Sequence, residues 1–195
     1  PGQEFGNSLS DIIFGEVNPS GKLPTTFPKT ISDTPAFATY PGEDLQMDYE
    51  EGLFIGYRWY DRENIEPLFP FGHGLSYTSF EYSNLRAIPP KGTSSVAAFE
   101  IDITNSGIMA GKEIVQGYVS VSNSNIKRAD KELKKFEKVS LEPGETKKLI
   151  FELSERDLSF WSTESNTWQV EPAEYVFEVG ASASDIRETT SVWLG

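Results

Sequence analysis

The sequence holds 195 residues with a formal net charge of −13, 37% hydrophobic and 13% aromatic residues, one histidine and no cysteine. That length allows one large domain or an ordinary domain with appendages, and the apolar share suffices for a packed core. The acidic balance argues against nucleic-acid phosphates and anionic membrane surfaces as partners, while the missing thiols exclude disulfides, thiolate chemistry and cysteine metal sites.

The first segment reads "PGQEFGNSLSDIIFGEVNPSGKLP". Phe5, Leu9, Ile12 and Ile13 recur at helical spacing and make one apolar stripe. Gly15 is the expected helix stop, and Asn18-Pro19-Ser20-Gly21 reads as a turn. Such a stripe needs a covering layer, and fewer than about 40 residues rarely build their own core. The expectation is that the segment ends a larger fold, with its cover upstream, rather than docking on the strands that follow.

From Phe27 to Asp48 the chain is irregular, broken by Pro28, Pro35 and Pro41. An aromatic stretch follows, "YEEGLFIGYRWYD" and then "NIEPLFPFGHGLSYT". Tyr57, Trp59, Tyr60, Phe69 and Phe71 are either cement at a domain junction or a platform on which pyranose rings stack. The junction is the expected role.

Beyond Thr78 the period becomes two. "FEYSNLRA", "VAAFEIDIT", "IVQGYVSV", "FEKVSL", "KKLIFEL", "EYVFEVG" and "TSVWL" read as strands, with turns at Asn105-Ser106-Gly107 and Glu142-Pro143-Gly144-Glu145. About seven short strands over roughly 115 residues mark an immunoglobulin-like or fibronectin-type-III-like sandwich. "KRADKELKKFEK" reads as a charged crossover that guards an edge.

Chemistry is sparse. His73, the only histidine, sits in "PFGHGLSYT"; a lone histidine makes no metal site, and no acidic group around it has ligand spacing. The stretch lacks the lysine and the strand-turn-helix setting of a phosphate loop, and no nucleophile elbow occurs. His73 is expected to be structural, capping backbone groups in a glycine-flanked turn. Among the acids, Glu4, Asp11 and Glu16 lie near the helix and Asp48, Glu50 and Glu51 precede the aromatic run, but no spacing singles out a glycosidase pair. No catalytic, cofactor-binding or metal-ligating residue is therefore assigned, and no cofactor is expected.

"GQEFGNSLSDIIFGEVNPSGKLPTTFP" resembles the closing helix and strand of the second catalytic domain of glycoside hydrolase family 3. "YEEGLFIGYRWYDRENIEPLFPFGHGLSYTSFEYSNL" resembles the segment linking that domain to a fibronectin-type-III-like domain. "KELKKFEKVSLEPGETKKLIFELSERDLSFW" and "WQVEPAEYVFEVGAS" resemble the body of the latter. The resemblance covers almost the whole chain, in order, and implies a mainly β fold: a sandwich over residues 78–195, a linker over 29–77, and a helix–strand remnant of an α/β sandwich over 1–28. It implies a retaining exo-glycosidase, nearest to the β-glucosidase members, with β-xylosidases sharing the same phrases. In that family the Asp nucleophile lies in an N-terminal barrel and the acid/base Glu in a loop before the helix where this segment starts. Neither motif occurs here, so the expected partners are the upstream domains and a β-glucoside, and this chain alone is expected to be inactive. His73 stands where relatives often carry tyrosine. Phe5, Gly117, Ala129 and Lys135 depart from the residues usual at their places. The rival reading is a free-standing carbohydrate-binding or adhesion module built on the aromatic cluster.

Overall fold

The computed structural model describes residues 2–44 and 46–195, so Pro1 of the first segment and Leu45 of the irregular stretch lie outside the described residues. Seven long strands alternate apolar and polar residues and pair antiparallel throughout. They are β1 (Phe80–Ile88), β2 (Ser95–Asn105), β3 (Gly111–Val121), β4 (Glu132–Leu141), β5 (Thr146–Ser154), β8 (Ala173–Ser182) and β9 (Asp185–Leu194). One sheet has the order β1-β2-β5 and the other β4-β3-β8-β9. A small hairpin between β5 and β8, β6 (Phe160–Ser162) with β7 (Thr167–Gln169), forms a separate ribbon.

The inward faces supply one core. Phe99, Ile101 and Ile103 of β2 and Leu149, Phe151 and Leu153 of β5 meet Val115, Val139, Leu141, Tyr175, Phe177 and Val179 of the opposite sheet. Phe99 and Phe177 stack across the two layers at 4.2 Å and 7°. Gly117 belongs to this contact: a Cβ there would lie 2.7 Å from Phe177 Cζ. The glycine gives its volume to a fully buried ring.

Every strand expected from the period of two is present, and the turn after β4 is the expected one. Glu145 N donates to Glu142 O at 2.9 Å and Gly144 takes φ +75°, as a turn with proline second and glycine third requires. The expected charged crossover is instead largely β4 itself, whose residues 132–141 form an edge of the four-stranded sheet. Lys134, Lys135 and Lys138 lie on this edge strand, the place an edge guard occupies.

Residues 2–77 precede this sandwich and pack on it in part, chiefly through Tyr57 and Phe71. Helix α1 (Phe5–Ile13) ends at Phe14, and Gly15 follows at φ +80° as a left-handed helix stop. The expected turn at Asn18 is absent. Its carboxamide spans three segments instead, donating to Ala110 O and accepting from Ser76 Oγ and Tyr77 N. The strand expected of the 1–28 remnant is reduced to a ribbon of residues 23–27 with residues 69–73, held by Leu23 N to His73 O, Gly72 N to Leu23 O and the bridge Phe27–Phe69. Pro24 and Pro28 remove two donors from it. Helix α2 (Tyr57–Glu63) then packs on the outer face of the four-stranded sheet. Four-residue α3 (Glu155–Leu158) follows β5 and opens on a capping box at Ser154.

Candidate functional site

The junction between residues 2–77 and the sandwich is built on β3, which is buried on both faces. Inward it offers Val115; outward it offers Gln116 and Tyr118, which a lone sandwich would leave wet. Tyr57 of α2 and Phe71 cover Tyr118, with Ala183, Leu133 and Ile186 around them. Tyr57 stacks on Phe71 at 5.0 Å and meets Tyr118 edge-on at 5.9 Å. The Tyr57 hydroxyl accepts the N–H of Leu133 at 2.8 Å, beside the register shift that opposes Gly117 and Tyr118 to β4. Burial raises the hydroxyl's pKa, so it stays neutral.

Ion pairs frame the same contact. Asp61 meets Lys131 at 2.7 Å and Arg58 meets Glu132 at 3.3 Å. Burial pushes the Asp61 carboxyl up, against the pull of Lys131. Gln116 Nε2 donates to Gly72 O and Ala181 O, and its Oε1 accepts from Tyr118. Deeper still, Lys22 Nζ lies 2.9 Å from Glu113 Oε1, which also accepts the hydroxyl of Tyr82. Lys22, Glu113 and Gln116 are polar residues at core positions, a signal that pattern reading passed over as strand alternation.

His73 is a spacer in this frame. Its ring stacks on Phe69 at 5.3 Å and 26°, and its peptide groups carry the ribbon. The expectation that the ring itself caps backbone groups is thereby replaced by stacking. Tyr57 and Tyr60 are buried, the Trp59 indole donates to Asp33 O, and Phe69 packs edge-on against Phe27. These rings therefore cement a junction and do not present a flat platform. Glu4 is exposed and accepts from Asn7; Asp11, Glu16, Asp48 and Glu50 are exposed as well. Among the described residues no group of three or more acids or histidine stands together as for a metal, and no helix is long and apolar enough to cross a membrane.

Two surfaces stand out. The first is the apolar stripe of α1 and its sequel. Phe5, Leu9, Ile13, Phe14 and Val17 are all exposed, Phe14 by 80%, and the helix buries none of its residues. Among the described residues, only the Tyr77 hydroxyl, donating to Ile12 O, fastens it to the rest by a side-chain hydrogen bond. The helix is thus not tucked against its own sandwich.

The second is a cleft of about 710 Å3 between residues 52–58, the loop 126–129 and the β6–β7 hairpin. Trp161 and Trp168 stand half-exposed at its mouth, edge to face at 5.4 Å. Arg156 sits 3.1 Å over the ring of Trp168. Behind Arg128 lies Glu171: burial would raise its carboxyl, but hydrogen bonds from Ser124 and Asn125 N–H, with Arg128, hold it below the usual range.

Residues 1–77 match the glycosyl hydrolase family 3 C-terminal domain and residues 113–183 the fibronectin type III-like domain. Thermostable beta-glucosidase B of Acetivibrio thermocellus is 50% identical over 95% of this chain and 25% of its own length. An exo-alpha-(1→6)-L-arabinopyranosidase of Bifidobacterium breve is 42% identical over 99% of the chain and 25% of its own. The chain thus spans about a quarter of the length of the curated relatives it matches. Among solved structures, a family 3 beta-glucosidase of Bifidobacterium adolescentis superposes with a TM-score of 0.91 at 41% identity, over 99% of this chain and 28% of that one. Beta-glucosidase 3B of Thermotoga neapolitana gives 0.90 at 40%, over 100% and 27%. With both domain models matched in order and relatives aligned along nearly its whole length, the chain belongs to glycoside hydrolase family 3, as a C-terminal portion of such an enzyme.

Proposed function

We propose that this chain is the C-terminal portion of a retaining, exo-acting β-glucosidase, in which it braces catalytic domains lying upstream and supplies none of the reacting groups. The observation that carries this is the uncovered stripe of α1 in a segment that matches the family's C-terminal domain. An amphipathic helix with no buried residue has not met its partner layer. Residues 57–73 then tie that layer rigidly to the sandwich, so the sandwich stiffens the frame on which the upstream loops stand.

The reaction proposed for the whole enzyme is double displacement at the anomeric carbon. A carboxylate forms a glycosyl-enzyme, and water releases the sugar with retention. No cofactor is required. The sugar is the part least tied to this chain, since the arabinopyranosidase, at 42% identity, stands between the beta-glucosidases of Acetivibrio thermocellus, 50%, and Rhizobium radiobacter, 41%.

The test is turnover of an aryl β-glucoside. The isolated chain should give none, and the intact protein should hydrolyse it in preference to the aryl β-xyloside. Hydrolysis by the purified isolated chain, or preference of the intact protein for the xyloside, would overturn the reading.

A further inference from the structure

The cleft beside α2 is cationic in a chain of net charge −13. Its wall holds Arg58, Lys127, Arg128, Lys134 and Arg156 against one carboxylate, Glu132. Glu132 serves Arg58 and Lys134 together, and Glu171 faces Arg128 from behind. Five cations against these two acids leave a surplus of three positive charges, and among the described residues neither Lys127 nor Arg156 has an acidic partner. Their neighbours are aromatic faces: Phe54 lies under Lys127 and Trp168 under Arg156.

The arginines also hold unspent donors. Arg58 Nε, Arg128 Nε and Arg128 Nη2 are buried without a hydrogen-bond partner among the described residues, although Arg128 Nη2 lies 3.4 Å from Glu171 Oε2. Those atoms lie beneath the surface, so the cations left for an acceptor from outside are Lys127 and Arg156 on the cleft wall. A carboxylate is the acceptor that guanidinium forks fit best. At the mouth, Trp161 and Trp168 leave indole surface exposed, which suits the apolar face of a pyranose.

We infer that this cleft binds a sugar that carries carboxylates, namely a uronic-acid oligosaccharide. The acid group would meet Lys127 and Arg156, and the ring would lie on Trp161. That the ligand is a sugar rests in part on the glycosidase function proposed above. An acidic peptide would satisfy the cations but has no rigid apolar face to set on the indoles.

The experiment is calorimetric titration of the intact protein with tri-galacturonic acid, with its fully methyl-esterified form and with hexaglutamate. The acid should bind at least about ten-fold more tightly than the ester, and added salt should weaken it. Trp161→Ala and Lys127→Glu, both at exposed positions, should each cut the affinity several-fold while circular dichroism and aryl-glucoside turnover stay unchanged. Equal binding of acid and ester, unaltered affinity in both variants, or tighter binding of hexaglutamate would overturn the inference. Because the readout is binding and not turnover, its failure is separable from failure of the hydrolytic reading.

Discussion

Lys22 and Glu113 form an ion pair of 2.9 Å with side chains only 12% and 7% exposed, joining the segment after α1 to the start of β3. Glu113 also accepts the hydroxyl of Tyr82, and burial, followed by that negative charge, drives the Tyr82 pKa up so that it remains a donor. Lys22 itself donates to Ala181 O. Removing one member of a buried pair strands the other charge, at a cost of about 3–5 kcal/mol. Lys22→Met should therefore lower stability in urea unfolding by that order. The double variant Lys22→Met/Glu113→Leu should recover a part of it. A single variant within about 0.5 kcal/mol of the parent would mean that water already pairs Glu113.

Gly72, not His73, is what the turn in "PFGHGL" requires. It sits at φ +79°, and a Cβ there would lie 2.0 Å from Gln116 Oε1, the atom that accepts from Tyr118. Gly72→Ala must strain the backbone and displace a buried amide, so a loss of about 2–4 kcal/mol is expected. His73→Ala gives up one ring stack and should cost about 1 kcal/mol. Thermal unfolding of the two variants checks the order, and a larger loss for His73→Ala would return a central role to the histidine.

These two residues show how far the sequence was legible. Alternation located all seven sandwich strands because each turns apolar side chains inward at every second residue, and the stripe of α1 was plain because its apolar residues recur at helical spacing. Gln116, Tyr118, Lys22 and Glu113 were not legible as a junction. Their role depends on which residues arrive from far along the chain, and period-two reading assigns outward residues of a strand to solvent. The β6–β7 hairpin escaped because three-residue strands carry too few alternations to register. The cleft escaped for a related reason: its cations come from α2, the 126–134 segment and α3, and only the fold gathers them.

Asp157 gives a pH handle. Burial raises its carboxyl, but hydrogen bonds from the Ser154 N–H and hydroxyl, with Lys135 at 3.0 Å, outweigh that and hold it below the ordinary value. A depressed carboxyl contributes stability that is complete above the unfolded value, about 3.9, and is lost as pH falls through the folded one. Melting temperature should thus fall more steeply for the parent than for Asp157→Asn below about pH 4. At neutral pH, Ser154→Ala should cost about 1 kcal/mol through the lost cap. Parallel pH profiles for parent and Asp157→Asn would contradict the assignment.

The stripe of α1 allows a variant whose effect depends on context. Leu9 and Ile13 are 42% and 64% exposed in this chain, so Leu9→Lys/Ile13→Lys removes little buried surface from it. Substitutions at such positions usually change stability by less than about 0.5 kcal/mol. The isolated chain bearing them should unfold as the parent does, while binding less of an apolar dye and associating less at high concentration. In the intact protein the same side chains should face the upstream layer, where burying one large aliphatic side chain is worth about 1.5–3 kcal/mol. The pair should then lower thermal stability by several degrees and depress turnover with it. Since the chemistry in the two settings is identical, the contrast isolates the covering layer. A pair that is equally harmless in both would show that α1 meets no partner, and the bracing role would lose its structural basis.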